Sequence, residues 1–327
     1  MSLLEKTLSQ IEPQDPGCRA AAHARLEQLT MPHWALGRLM DIAEDLAGMT
    51  RSIRPPVARK AVVVMAGDHG VAASGVSQYP QEVTVQMIHN FVNGGAGCNA
   101  LARLVGAQVI VVDAGVAGDL TPLVESGKII NKRVAPGTAN IQHGPAMTRE
   151  QAIRSIEVGI EVAQSLADSV DMFATGEMGI ANTTPSSAIV AALTCCEVEE
   201  LTGRGTGIDD TRLQNKIAVI KDALRVNRPD PSDALDVLAK VGGYEIGALA
   251  GLILASAAMK KPVVVDGFIT TAAALIAQGL SPASAQYMIA AHRSVEPGHR
   301  AAQERLGKEP LLDLSLRLGE GTGAALA

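Results

Sequence analysis

Aromatic side chains make up only 2% of this sequence: three Phe, three Tyr and one Trp in 327 residues. A protein that stacks bases on aromatic platforms needs more than that. No basic stripe compensates, because the formal net charge is −6, and both facts argue against a nucleic-acid binder. The core must be built from Ala, Val, Ile, Leu and Met, since hydrophobic residues reach 47% and charged ones 19%. Cysteines are equally scarce. Cys18, Cys98, Cys195 and Cys196 form no Cys-x-x-Cys pair, which argues against zinc or a disulfide framework and for reduced thiols. Long apolar runs are missing too. The most apolar stretch, residues 246–259, includes glycines and is shorter than the roughly 20 residues a bilayer span requires. The N-terminal MSLLEKTLSQIEPQ carries acids and no apolar signal core, so a cytoplasmic protein is expected.

What the chain does have is a repeated grammar of short β-branched runs separated by helical patterns. Residues 1–60 read as helices, with Leu26, Leu29, Leu36, Leu39, Ile42 and Leu46 at roughly helical spacing, interrupted at Pro32. Strands are expected at 61–65, 109–112, 170–174, 262–265 and 287–290, with helices at 84–92, 149–167, 211–227 and 246–259. That alternation predicts an α/β fold around a mainly parallel sheet covered on both faces. Run after run stops at an acid or histidine beside glycine: Asp68-His69-Gly70, Asp113, Glu177, Asp266 and Gly319-Glu320-Gly321. Ligands of open parallel sheets bind outside the carboxyl ends of the strands, so these loops are expected to converge on one crevice.

Four stretches carry chemistry, and each has a blander reading. Gly176-Glu177-Met178-Gly179 followed by Asn182-Thr183-Thr184 suits a phosphate cradle at a helix start. A plain helix cap needs neither Glu177 nor so many glycines. Glu320 stands among Gly319, Gly321 and Gly323, where substrate can press close to a carboxylate, yet an exposed turn has the same composition. Gly203-Arg204-Gly205-Thr206-Gly207 leads to Lys216, either a point charge for an anion or one more solvated lysine. Asp266-Gly267-Phe268 is like a phosphoribosyl-pyrophosphate loop but has one acid where paired acids are usual. His69 and His292 show no metal-ligand spacing and are expected to order loops. No Gly-x-Ser-x-Gly elbow supports a serine nucleophile.

Taken together, the segments Ala66 to Gly70, Pro80 to Thr84, Gly176 to Pro185, Asn215-Lys216, Lys240 to Gly243, Asp266 to Phe268 and Arg317 to Leu326 resemble the nicotinate-nucleotide–dimethylbenzimidazole phosphoribosyltransferase family. The resemblance implies an enzyme of cobalamin lower-ligand assembly that needs no cofactor and no metal. Its substrates would be nicotinate mononucleotide and a benzimidazole base. It also implies a homodimer whose doubly wound α/β catalytic domain, 61–327, is joined by a smaller helical domain. Residues 1–60 would supply one segment of that domain, and a C-terminal helical segment is expected to lie beyond Ala327. By the same resemblance Glu320 is the catalytic base and Glu177 and Gly179 lie in the substrate site with Gly319 and Gly321. Asn182, Thr183, Thr184 and Lys216 would serve the nucleotide. Tyr79 and Met87 stand where some relatives carry Ser and Gln in the base pocket. Two other readings compete: a metal-dependent phosphoribosyl-pyrophosphate transferase centred on Asp266, and a non-catalytic binder of benzimidazoles or nucleotides.

Overall fold

A computed structural model describes all 327 residues. Six parallel strands form the central sheet in the order β3-β2-β1-β4-β5-β6. They are β1 (Lys60–Gly67), β2 (Ala107–Gly115), β3 (Ile130–Asn131), β4 (Met172–Met178), β5 (Val263–Val265) and β6 (Met288–Ala290). This is the doubly wound arrangement, with a topological switch point between β1 and β4. A second, two-stranded parallel sheet pairs β7 (His292–Ser294) with β8 (Leu312–Leu316).

Strand β1 shows why the sheet is buried on both sides. Ala61, Val63 and Met65 point into the larger core, with helices Arg149–Ser165, Tyr244–Ala258 and Phe268–Leu280. Val62, Val64 and Ala66 alternate to the other face, against Ile88, Phe91, Cys98 and Ala102. A strand covered on both faces reads as an unbroken apolar run because the period-2 alternation separates two cores rather than core and solvent. Apolar aliphatic side chains fill both layers, as the scarcity of aromatics requires.

The boundaries differ from expectation in places that bear on the site. Strand β4 runs to Met178 rather than stopping near residue 174, so Glu177 belongs to the strand and not to a loop. Glycine at 176 lowers β propensity, but pairing of Gly176 with Val64 and of Glu177 with Met65 carries the ladder through. Residues 27–37 are turns between helices Pro16–Leu26 and Arg38–Thr50, and Leu36 and Leu39 are 56% and 64% exposed. The apolar spacing there is not a core face. Strand β8 and helices Gly97–Leu104, Ala234–Val241 and Pro297–Leu306 have no counterpart among the expected elements.

Candidate active site

At the carboxyl ends of β1, β4 and β5 lies a cavity of about 600 Å³, within the range of small-molecule sites. Glu177, Gly179, Asn182, Thr183, Gly319 and Glu320 line it, as do Tyr79 and Met87. Eight of the eleven residues expected to serve the base or the nucleotide are thereby brought together. The other three are not in the lining. Thr184 is fully buried with its hydroxyl unpartnered. Gly321 packs against Val62 and the carbonyl of Thr175. Lys216 is fully buried behind Thr183.

The loop that carries Glu320 has an unusual backbone. Gly319, Glu320 and Gly321 have φ of 80°, 64° and 92°, three left-handed residues in succession. Glycine tolerates that conformation, whereas a glutamate there is strained and persists only where its surroundings over-determine it. Here they do. The Glu320 N–H donates to Glu177 Oε1 (3.2 Å), and Glu320 Oε2 accepts from the Cys98 N–H (3.4 Å) at the start of helix Gly97–Leu104. Burial raises the Glu320 carboxyl above the usual range, against the lowering effect of that N–H. A raised carboxyl suits a proton acceptor that must work near neutral pH.

Glu177 is deeper. Its Oε2 accepts from the side-chain amide of Asn182, which therefore orients an acid rather than capping its own helix. Burial pushes Glu177 up to about 7, with the charges of Glu245 and Glu320 adding to the effect. Just beyond it, Gly179 has no room for a side chain, because a Cβ there would overlap the carbonyl oxygen of Gly67. The β1 and β4 loops touch at this point, and only glycine permits it.

A second group of polar residues meets around the Gly-rich loop. Lys216 Nζ donates to Thr183 Oγ1 (2.7 Å) and to the Gly203 carbonyl (3.3 Å). Glu296 Oε1 accepts from the Gly205 N–H (3.0 Å), and its other oxygen is buried without a partner. Thr206 Oγ1 accepts from the Gln78 N–H (3.0 Å), tying the Gly-rich loop to the segment that bears Tyr79. Glu296, which also lines the cavity, was missed in the sequence. Its only signal there is an acid two residues after Ser294, just ahead of the proline that opens helix Pro297–Leu306.

The expected convergence of all the strand-end acids needs correction. Asp113 accepts from the Val116 N–H and pairs with Arg133, each at 2.9 Å, so it holds its own turn. Asp68 accepts from the Ala117 N–H (2.9 Å). Asp266 accepts from the N–H groups of Gly321 (3.2 Å) and Ala324 (2.8 Å). None of the three lines the cavity, so the acids facing it are Glu177, Glu296 and Glu320. His69 bonds Glu245 rather than a loop amide, and His292 Nδ1 is buried without a partner, 3.8 Å from Asp266. The side chains of the described residues place no three His, Cys, Asp or Glu groups together as a metal site.

Comparison with known proteins agrees with this architecture. A family model described as Phosphoribosyltransferase matches residues 11–327. The chain is 64% identical over its whole length to the nicotinate-nucleotide–dimethylbenzimidazole phosphoribosyltransferase of Syntrophotalea carbinolica, covering 93% of that protein. It is 60% identical, again over its whole length, to the protein of the same name from Desulfotalea psychrophila, covering 92% of it. The crystal structure of the Thermus thermophilus enzyme of this name superposes with a TM-score of 0.89 at 44% identity, over 96% of this chain and 92% of that one. On fold, cavity and full-length similarity together, the chain belongs to the nicotinate-nucleotide–dimethylbenzimidazole phosphoribosyltransferase family.

Proposed function

We infer that this chain transfers the phosphoribosyl group of nicotinate mononucleotide to 5,6-dimethylbenzimidazole or a related base. The products are nicotinate and alpha-ribazole 5′-phosphate, in cobalamin lower-ligand assembly. Its relatives bear the name of this reaction. The observation that carries the reading within this chain is Glu320. It is a carboxylate raised by burial, held in a strained backbone and facing a cavity of the right size.

The chemistry follows from the donor. Its C1′ is bonded to a positively charged pyridinium nitrogen, so nicotinate departs with the bonding electron pair and needs neither a proton nor a metal. One benzimidazole nitrogen attacks C1′ while the other loses its proton, and Glu320 takes that proton as positive charge develops on the ring. Val76, Val83, Met87 and Leu318 give the cavity apolar walls for an aromatic base. Tyr79 and Met87 are then the residues that choose among bases. Asn182, Thr183 and Thr184 open helix Thr183–Thr194, whose free N–H groups suit the 5′-phosphate, with Lys216 supplying charge from behind Thr183. Holding both substrates in one crevice contributes further to the rate.

Two features belong to the same proposal. No helix is long and apolar enough to cross a membrane, and we place the enzyme in the cytoplasm. We also propose a homodimer in which the N-terminal helices form a smaller domain. Leu36, Leu39, Leu314 and Leu318 expose more than half of their surface, and Arg38 bonds the Pro310 carbonyl, which joins the two segments that carry them.

The test is nicotinate release from nicotinate mononucleotide plus 5,6-dimethylbenzimidazole, in EDTA, by wild type and Glu320→Gln. Wild type is expected to turn over undiminished by the chelator. Glu320→Gln should lose roughly 10²- to 10⁴-fold in kcat with little change in KM. Loss of wild-type activity in EDTA, with phosphoribosyl pyrophosphate and magnesium active instead, would overturn the assignment of the donor.

A further inference from the structure

We propose that Asp266 is a positioning residue for Glu320, gripping with Glu177 the two sides of the backbone turn that presents the base. The proposal rests on the reading of Glu320 as the base. It concerns a buried residue that does not line the cavity.

The grip is visible atom by atom. From the β4 side, Glu177 Oε1 accepts the Glu320 N–H at 3.2 Å. From the β5 side, Asp266 Oδ2 accepts the Gly321 N–H at 3.2 Å, and Oδ1 accepts the Ala324 N–H at 2.8 Å. Asp266 is itself fixed, because its own N–H donates to Thr175 Oγ1 (3.0 Å) on the neighbouring strand. Both acids are thus anchored in the parallel sheet, and both reach across to a turn more than fifty residues away in sequence. Hydrogen bonds from N–H groups to a carboxylate are stronger than those to a neutral acceptor.

The turn needs such a grip. The Thr322 N–H (3.0 Å) and hydroxyl (2.7 Å) both donate to the Gly319 carbonyl and close the turn, but three consecutive residues at φ of 80°, 64° and 92° stay strained, and the middle one is not glycine. Sterics close the remaining freedom. A Cβ on Gly319 would overlap Glu177 Oε1, and one on Gly323 would overlap the ring of His292. His292 Nδ1 lies 3.8 Å from Asp266 Oδ1, too far to hydrogen-bond, so the carboxylate is left to the backbone. Both Asp266 oxygens are occupied and the side chain is only 1% exposed. An acid whose two oxygens are so occupied is not free to hold a ribose or a metal.

A double-mutant cycle tests the idea: wild type, Asp266→Asn, Glu320→Gln and the double variant, with kcat and both KM values measured. Asparagine keeps the shape but offers one acceptor for two donors. We expect Asp266→Asn to lower kcat by about ten- to a hundredfold, with KM for either substrate moving less than about threefold. In the Glu320→Gln background the same change should cost less than about twofold, because a residue acting through Glu320 has nothing left to position. An equal loss in both backgrounds, a loss confined to KM, or no loss would overturn the proposal. Should Glu320→Gln alone prove harmless, the assignment of the base falls and the clamp falls with it.

If Asp266→Asn does not fold, hydrogen exchange on the wild type decides. The Glu320, Gly321 and Ala324 amides should exchange at least about a hundredfold more slowly than that of Gly319, for which the turn provides no acceptor. Gly321 and Ala324 exchanging as fast as Gly319 would rule the grip out.

Discussion

His69 Nε2 lies 2.7 Å from Glu245 Oε1, and neither side chain is more than 1% exposed. Burial acts to lower the imidazole's pKa, but the carboxylates of Glu245, Asp68 and Glu177 outweigh it, so the net shift is upward. The pair is a buried hydrogen bond just beneath the contact of Gly179 with Gly67, and the acids around it favour the protonated imidazole. Replacing only the histidine leaves Glu245 buried without its partner. His69→Gln is expected to destabilise the protein by about 3–5 kcal/mol, and His69→Gln with Glu245→Gln should recover much of that loss. The pH dependence has a definite sign. With the folded pKa above the unfolded one, the His69 contribution is complete below about pH 6.5 and disappears as pH rises through the folded value. Thermal denaturation of wild type and variants from acid to alkaline pH reads this directly. A single variant that melts within about a degree of wild type at about pH 6 would mean the pair carries no charge.

Much of the fold was legible because it rests on side chains with strong local preferences. The β-branched run at 61–65 and the strand at 109–112 fall inside β1 and β2. Amphipathic helices such as Arg149–Ser165 were found within a few residues of their ends. Helix Phe268–Leu280 is not among the expected elements: residues 268–277 are all buried, so no amphipathic period marks it, and unlike the equally buried Tyr244–Ala258 it follows directly on β5. Strand β8 escaped for the opposite reason, since Asp313, Leu314 and Ser315 are all exposed. At the site, sequence pointed to Glu177 and Glu320 because an acid among glycines is conspicuous. It gave no hint that the Cys98 N–H meets Glu320, because a backbone donor leaves no mark in composition. Nor could it tell that Asp68, Asp113 and Asp266 spend their carboxylates on backbone amides rather than on ligand.

Lys216 tests the nucleotide side of the cavity. Its ammonium is fully buried, and burial holds it down to about 8 while Glu296 pulls the other way. The unfolded chain then holds that proton more firmly than the folded one. Between about pH 8 and 10.4 the folded state should gain stability from this group as pH rises. Lys216→Met is expected to abolish that alkaline gain. It should also raise KM for nicotinate mononucleotide at least about tenfold, while KM for the base stays within about twofold. Denaturant unfolding at about pH 8 and pH 10, together with steady-state kinetics, checks both. An unchanged donor KM would assign Lys216 to the packing of Thr183 alone.

Glu177 should separate stability from activity. Its carboxyl titrates at about 7 because burial disfavours the charge, and the negative charges of Glu245 and Glu320 oppose it further. A carboxyl raised above its unfolded value lends the fold stability at low pH, and that contribution is lost as pH climbs from about 4.3 through 7. At about pH 8 the enzyme therefore holds a carboxylate that it would be more stable without. Glu177→Gln keeps an oxygen for the Glu320 N–H, and the Asn182 amide can turn to face the new one. The variant should melt a few degrees higher than wild type at about pH 8, with no such advantage at about pH 5, where the wild-type acid is already protonated. Turnover should nevertheless fall, because the charged acceptor that anchors the Glu320 turn has become a neutral one. Calorimetry at the two pH values, paired with kcat, distinguishes this from simple damage. A variant less stable than wild type at both would show that Glu177 is held for packing rather than kept charged for the reaction.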